Sequence, residues 1–378
     1  MSSDTRTVQP FHAVDINRLA NDLARRGVDV IHMEVGQPSA GAPGTALEAA
    51  ARALRSDRLG YWESGELKER IARHYRDWYG VELEPARVIL TPGASGALLL
   101  AFTVLLEPGS RVALGRPGYP AYRNVLQALG MQPVELPCGP GTRFQPTAAM
   151  VAALNPAPAA LIVASPANPT GTMLSRAELA ALADVCRRRG ITLISDEIYH
   201  GISYGERAVS ALELDSSAVI LNSFSKYWCM PGWRLGWLVA PESLVGPMNS
   251  YSGNIFLTPP ALSQHAALAA MDAHEELARH LETYAGNRQL VMSTFESLGI
   301  GDLAPADGAF YVYANVGHLT DDSLGFCRQL LAATGVAFNT GLDFDPVEGS
   351  RTLRVSFAVS GEETRAAMQR FGDWLRAR

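Results

Sequence analysis

Lysine is nearly missing from this chain: its 378 residues contain two, Lys68 and Lys226, and the rest of the positive charge is arginine. No run of Lys or Arg forms a basic stripe, and the formal charge of −6 is spread along the sequence, so neither nucleic acid nor anionic lipid is expected as a partner. No stretch of about 18 apolar residues occurs, so no membrane-spanning helix is expected. Residues Met1 to Val14 lack the apolar core of a secretory signal, and a cytoplasmic location is expected. The cysteines Cys138, Cys186, Cys229 and Cys327 lie far apart, without a C-x-x-C pair or a nearby histidine cluster. They read as free, mostly buried thiols rather than zinc ligands or a disulfide framework. Internal repeats and low-complexity linkers are also absent. Apolar residues are plentiful at 47%, enough for a large core shared between two domains.

From about residue 88 to 240, short β-rich runs alternate with helical patterns, the signature of a parallel sheet with crossover helices. Seven runs read as strands: Arg87 to Leu90, Arg111 to Leu114, Pro133 to Leu136, Ala160 to Ala164, Thr192 to Ser195, Val219 to Asn222 and Leu235 to Val239. Ser95 to Leu106, Ala121 to Leu129 and Ser175 to Arg189 read as helices. The last has Ser175 as N-cap, Glu178 at the capping-box position and Gly190 just past its end. Beyond Pro241 a long helical pattern leads to β-like runs at Ala309 to Ala314, Val336 to Asn339 and Leu353 to Ala358, then to an amphipathic helix from Glu362 to Arg376. The expected fold is α/β: a large domain with a mostly parallel seven-stranded sheet flanked by helices, plus a smaller α+β domain. The expected boundaries are 1–35 for an N-terminal segment, with a helix near Ala13 to Arg26 packing on the small domain, 36–270 for the large domain and 271–378 for the small one.

Ligands bind open parallel sheets at the carboxyl ends of the strands. The conspicuous polar segments fall there: Thr91-Pro-Gly-Ala-Ser95, Arg116-Pro-Gly-Tyr119, Ser165-Pro-Ala-Asn168-Pro-Thr-Gly171, Asp196-Glu-Ile-Tyr199 and Ser223-Phe-Ser-Lys226. Arg234 follows eight residues after Lys226, inside Gly232-Trp-Arg-Leu-Gly236.

The Ser223-Phe-Ser225-Lys226 run with Arg234 resembles the cofactor-lysine segment of fold-type I pyridoxal-phosphate enzymes, specifically class I/II aminotransferases. The resemblance extends from about residue 30 to 360 in the family's order. It implies pyridoxal 5'-phosphate held as a Schiff base on Lys226, an L-amino acid and a 2-oxo acid as substrates, a pyridoxamine-phosphate intermediate and a homodimer. By the same resemblance Asp196 meets the pyridine nitrogen, Tyr199 and Asn168 meet O3′, and Tyr119 stacks on the ring. Gly93, Ala94 and Ser95 form the phosphate turn with Ser223, Ser225 and Arg234. Arg354 takes the substrate carboxylate, and Gly36 in Gly36-Gln-Pro38 covers the substrate beside Asn168.

The chemistry accounts for these residue types. The cofactor is an electron sink for the carbanion left when a bond at the amino acid's α-carbon breaks. A carboxylate at Asp196 keeps the ring nitrogen protonated, because an adjacent anion favours the cationic form. A helix start at Ala94 and Ser95 offers orphan N–H groups to an anion. Lys226 serves as nucleophile and then as general acid and base.

Plainer readings stand beside these. Asp196 alone also reads as a helix N-cap, and Gly93 to Ser95 as an ordinary helix start. Asn168 to Gly171 has turn composition, Tyr119 and Tyr199 fit core positions, and Arg354 fits a surface ion pair. Lys68, the other lysine, lies in Glu66-Leu-Lys-Glu-Arg70, a solvated helix face. Two departures from the family pattern occur. The segment Tyr61-Trp-Glu-Ser-Gly65-Glu-Leu67-Lys68, whose tyrosine reaches the other subunit's phosphate in the family, is about three residues short. Ser165 stands where many members carry asparagine.

Ser223-x-x-Lys226 also fits the S-x-x-K nucleophile of penicillin-binding proteins, but that chemistry needs a K-T-G-like second lysine, and Lys68 is followed by Glu69 and Arg70. A ligand-sensing regulator needs a DNA-binding domain ahead of the Gly36 segment, where about thirty residues stand. A lyase, decarboxylase or cyclase acting on an amino acid is the alternative inside the same fold, since orientation selects which α-carbon bond breaks.

Overall fold

The computed structural model describes residues 8–378. Twelve strands follow in chain order: β1 (Ile31–His32), β2 (Val88–Thr91), β3 (Arg111–Arg116), β4 (Gln132–Pro137), β5 (Ala160–Ala164), β6 (Thr192–Asp196), β7 (Val219–Ser223), β8 (Gly236–Val239), β9 (Tyr311–Asn315), β10 (Val336–Ala337), β11 (Asn339–Thr340) and β12 (Thr352–Ser356). The seven runs read as strands between residues 87 and 239 are β2 to β8, and they form one sheet in the order β2-β8-β7-β6-β5-β3-β4. Strands β2, β7 and β8 are buried at every position, and β5 at all but its last, because helices cover both faces of the sheet.

Strand β8 alone runs against its neighbours, pairing antiparallel with both β2 and β7. The reversal matters for the site. The carboxyl ends of the other six strands and the amino end of β8 lie on one rim, so Lys226, just past β7, and Arg234, just before β8, arrive together.

Helix Gly93–Leu105 follows β2 and packs on β7 and β8. Helix Arg176–Arg189 closes its first turn with the Ser175–Glu178 capping box and ends at Gly190. The final helix, Gly361–Arg376, begins with a second capping box on Ser360 and Glu363, one residue earlier than its apolar periodicity suggested.

A second, antiparallel sheet has the order β11-β12-β9, and β1 pairs parallel with β10. The single strand expected over Val336 to Asn339 is therefore two short ones serving different sheets. Phe338 separates them, its buried ring packing against Phe295 and Phe371, and this anchor turns the backbone from one partner to the other. Helix His12–Arg25 packs against β10, β11 and the helix Ser323–Thr334. It lacks a side-chain cap of its own; instead the His12 and Ala13 N–H groups donate to the two carboxylate oxygens of Asp343, at 2.7 and 2.9 Å. Among the described residues, no helix is long and apolar enough to cross a membrane.

Candidate active site

A cavity of about 340 Å³ opens at the rim. Its lining includes Gly36, Ala94, Ser95, Tyr119, Asn168, Asp196, Tyr199, Ser225, Lys226, Arg234 and Arg354 from among the residues singled out in the sequence. These come from seven separate segments, so the fold gathers them rather than any local motif.

Lys226 stands at the centre. Its ammonium donates to the Gly36 carbonyl and lies 5.8 Å from the ring centroids of both Tyr199 and Phe310. Burial first, and then the guanidinium charges of Arg354 and Arg234, lower its pKa from the usual lysine range to about 8, against the opposing pull of Asp196. The amine is thus available as a nucleophile and proton carrier near neutral pH.

Asp196 ends β6, and no helix follows it, so its carboxylate is not an N-cap. One oxygen accepts from the Tyr122 hydroxyl and the other from the Ile198 N–H at 3.1 Å. Burial raises its pKa, and these two donors and Lys226 oppose the rise. Strand alternation turns the next carboxylate, Glu197, away into a polar nest of Ser195, Ser210 and the Ala211 N–H. There burial pushes its pKa up to about 8.

Tyr199 is buried, and its hydroxyl pairs with that of Tyr311 at 2.7 Å. Asn168 accepts from an Arg354 Nη1–H at 3.2 Å, and Arg354 Nη2 donates to the Glu34 carbonyl. The guanidinium lies 4.6 Å from the Tyr311 ring centroid and 4.7 Å from that of Phe344. Among the described residues Arg354 has no carboxylate partner, and its buried Nε–H has no acceptor. A buried guanidinium without a counter-ion marks a place for an anion.

A second anion place lies at the rim. Helix Gly93–Leu105 starts there with neither a side-chain cap nor an acidic residue in its first turn, leaving its orphan N–H groups and dipole uncompensated. Ala94 and Ser95 line the cavity beside exposed Arg234 and the Ser225 hydroxyl. Gly93 adopts φ +74°, and a Cβ there would come within 2.8 Å of Arg234 Nη2, so a side chain would push the guanidinium aside. Ser223 stands behind the lining: its hydroxyl bonds the Leu235 carbonyl at 2.9 Å and the Ser225 hydroxyl at 2.8 Å.

The donor set fits pyridoxal phosphate. Three cationic side chains, Lys226, Arg234 and Arg354, face one carboxylate, Asp196, in the lining, an excess suited to a phosphate at one end and a substrate carboxylate at the other. Ala94, Ser95, Ser225 and Arg234 would hold the phosphate, Asp196 the ring nitrogen, and Lys226 the aldehyde carbon. Tyr119 lies at the cavity wall, edge-on to Tyr122. Tyr61 is not gathered: in the single chain it is 85% exposed and away from the cavity.

Several lining residues escaped the sequence reading. Tyr122 is one turn along from Tyr119 on helix Pro120–Ala128, and the i, i+3 spacing is the signal that would have found it. Tyr311 sits on β9, next to the strand that carries Arg354. Phe11, Ala13, Val14 and Asn17 bring the N-terminal helix to the cavity as one wall. Asn17 ties that helix to Glu34 through an Nδ2–H to Oε1 bond of 2.8 Å.

Residues 28–371 match the family model described as aminotransferase class I and II. The chain is 46% identical over 375 residues to a valine–pyruvate aminotransferase of Mycobacterium tuberculosis, covering 97% of both chains. It is 32% identical over 382 residues to an aspartate/prephenate aminotransferase of Thermus thermophilus, covering 98% of this chain and 97% of the relative. A crystal structure of an aminotransferase from Mycobacterium tuberculosis superposes with a TM-score of 0.97 at 45% identity, covering 100% of both chains.

Proposed function

The chain belongs to the class I and II aminotransferase family, and from that premise we propose its substrates and the duties of its site residues. It is a pyridoxal-phosphate-dependent transaminase, moving an amino group from an amino acid to a 2-oxo acid. When bound, the cofactor supplies the electron sink for charge developing at the substrate's α-carbon. Lys226 takes and returns the proton at that carbon, helped by its lowered pKa. Asp196 holds a proton on the ring nitrogen, and Tyr199 and Asn168 stabilise the ring oxygen as an anion. Arg354 grips the α-carboxylate, and the Gly36 segment covers the substrate.

The preferred donors are small or branched neutral amino acids, with a short 2-oxo acid such as pyruvate as acceptor. One observation carries this reading: once Arg234 serves the phosphate and Arg354 the α-carboxylate, the described lining holds no further arginine or lysine except Lys226. The side-chain end is walled by Phe11, Ala13, Val14 and Val35, where a second carboxylate would lie unpaired. The name of the Mycobacterium tuberculosis relative, a valine–pyruvate aminotransferase, supports the same reading. Half-reactions followed by cofactor absorbance test it. Valine or alanine should exceed aspartate and glutamate in kcat/KM by roughly tenfold or more, since a second carboxylate there finds no cationic partner and loses part of its hydration. Aspartate reacting as well as valine would overturn it.

We also infer a homodimer. Leu47, Leu54, Tyr61, Trp62, Tyr251, Ile255 and Leu257 are exposed apolar side chains. Leu47 and Leu54 ride on helix Gly44–Ser56, which packs on helix Ala261–Ala270, and Trp62 stacks on His265 of the latter at 4.7 Å. A second copy covering this face would bring Tyr61 to its partner's phosphate. The four free, buried thiols suit a reducing compartment, in keeping with a cytoplasmic enzyme.

A further inference from the structure

Tyr311 touches both ends of the reacting geometry. Its ring lies under the Arg354 guanidinium at 4.6 Å, and its hydroxyl is 2.7 Å from that of Tyr199. It also defines the space at Gly36, where a Cβ would fall 2.0 Å from the Tyr311 hydroxyl, while the Gly36 carbonyl accepts from Lys226. Burial raises the pKa of both phenols, so each keeps its proton at neutral pH. In a pair of neutral hydroxyls one donates and the other accepts. If Tyr199 directs its proton at the cofactor's ring oxygen, its own oxygen must accept, and Tyr311 is the donor beside it.

We propose that Tyr311 is a positioning residue with two separable duties: its hydroxyl donates to Tyr199 and orients that phenol toward the cofactor ring, and its ring supports Arg354 against the substrate carboxylate. The inference rests on the site reading above for Tyr199 and Arg354. The hydroxyl duty has a definite sign. A phenol that accepts one hydrogen bond donates a stronger one, so Tyr311 makes Tyr199 a better stabiliser of the anionic ring oxygen. That stabilisation lets the conjugated nitrogen of Lys226 release its proton at lower pH. The ring duty acts on substrate affinity, through attraction of the guanidinium to the aromatic face and through exclusion of water beside it.

The test uses the holoenzyme and two variants at this position, with Tyr199→Phe as reference. Absorbance titration of the bound cofactor reports the protonation midpoint of the Lys226 chromophore, independently of turnover. Tyr311→Phe keeps the ring and the fold, and should raise that midpoint by about half a unit to one unit, with KM for valine within about twofold of the parent. Tyr311→Leu should raise the midpoint equally and also raise KM by roughly threefold to thirtyfold. A midpoint unmoved in Tyr311→Phe but raised in Tyr199→Phe would overturn the hydroxyl duty and leave the site reading standing. A midpoint unmoved in both would overturn the assignment of Tyr199 as well. Equal KM in the phenylalanine and leucine variants would overturn the ring duty.

Discussion

Replacing Arg354 by lysine preserves the charge and removes the geometry, which makes it a sharp perturbation of substrate binding. A guanidinium has five N–H donors in a fixed fork. In Arg354 one is spent on Asn168 and one on the Glu34 carbonyl, leaving three, including the buried Nε–H without an acceptor. Three donors in one plane suffice for a bidentate grip on a carboxylate with the two protein contacts still made. A lysine ammonium has three in all, radiating from one atom, so it cannot keep both protein contacts and also pair bidentately. Lysine keeps the cation, so what is lost is one charge-assisted hydrogen bond of the bidentate pair, worth roughly 1.5–3 kcal/mol. At about 1.4 kcal/mol per tenfold, kcat/KM for valine should fall by roughly one to two orders of magnitude. The measurement is a stopped-flow half-reaction across a range of valine concentrations. Because the charge near Lys226 is conserved and Arg354 sits away from the phosphate end, the absorbance of the bound cofactor should hardly change. Normal kcat/KM in Arg354→Lys would refute the reasoning, reducing Arg354 to a packing element between Tyr311 and Phe344 and moving the carboxylate anchor elsewhere.

Lys226 titrates near 8 and only its neutral form attacks an aldehyde, so pyridoxal phosphate uptake by the apo-protein should rise with pH and level off above 8. At pH 6 uptake should be roughly a hundredfold slower than on the plateau. Borohydride should then fix the label on Lys226; a label on Lys68, which is paired with Glu63 at 2.7 Å, or a rate still climbing at pH 10, would contradict the assignment. Tyr61→Phe should loosen cofactor retention about twofold to tenfold while light scattering still reports a dimer. Unchanged retention would place Tyr61 outside the site, and an active monomer would dismiss the interface.

The seven strands of the large sheet were legible as short β-rich runs, five of them followed by polar segments on one rim, and their observed ends differ from the expected ones by no more than two residues. The reversal of β8 was not, since periodicity has no direction and a parallel and an antiparallel buried strand read alike. Lys226 stood out through the chemistry around it and the rarity of lysine. Tyr311 did not, because an aromatic in an apolar pattern reads as core until tertiary register shows what its hydroxyl meets, and for Tyr122 the i, i+3 spacing from Tyr119 was the one signal in the sequence. The wall from Phe11 to Asn17 was hidden for a similar reason. The helix was expected to pack on the second domain, and the face it turns to the cavity depends on where Asp343 and Glu34 hold it.

That wall bears on how such an enzyme diversifies. Phe11, the N-cap residue, and Val14, in the first turn, are exposed at the start of a helix packed against the small-sheet side of the molecule, while Lys226 and Asp196 are rooted in the large sheet. Substitutions at exposed positions typically shift stability by no more than about half a kcal/mol, so these two sites can drift with little risk to folding. A few changes in this one surface segment can therefore alter the amino-acid preference while the residues around Lys226 and Asp196 keep their places.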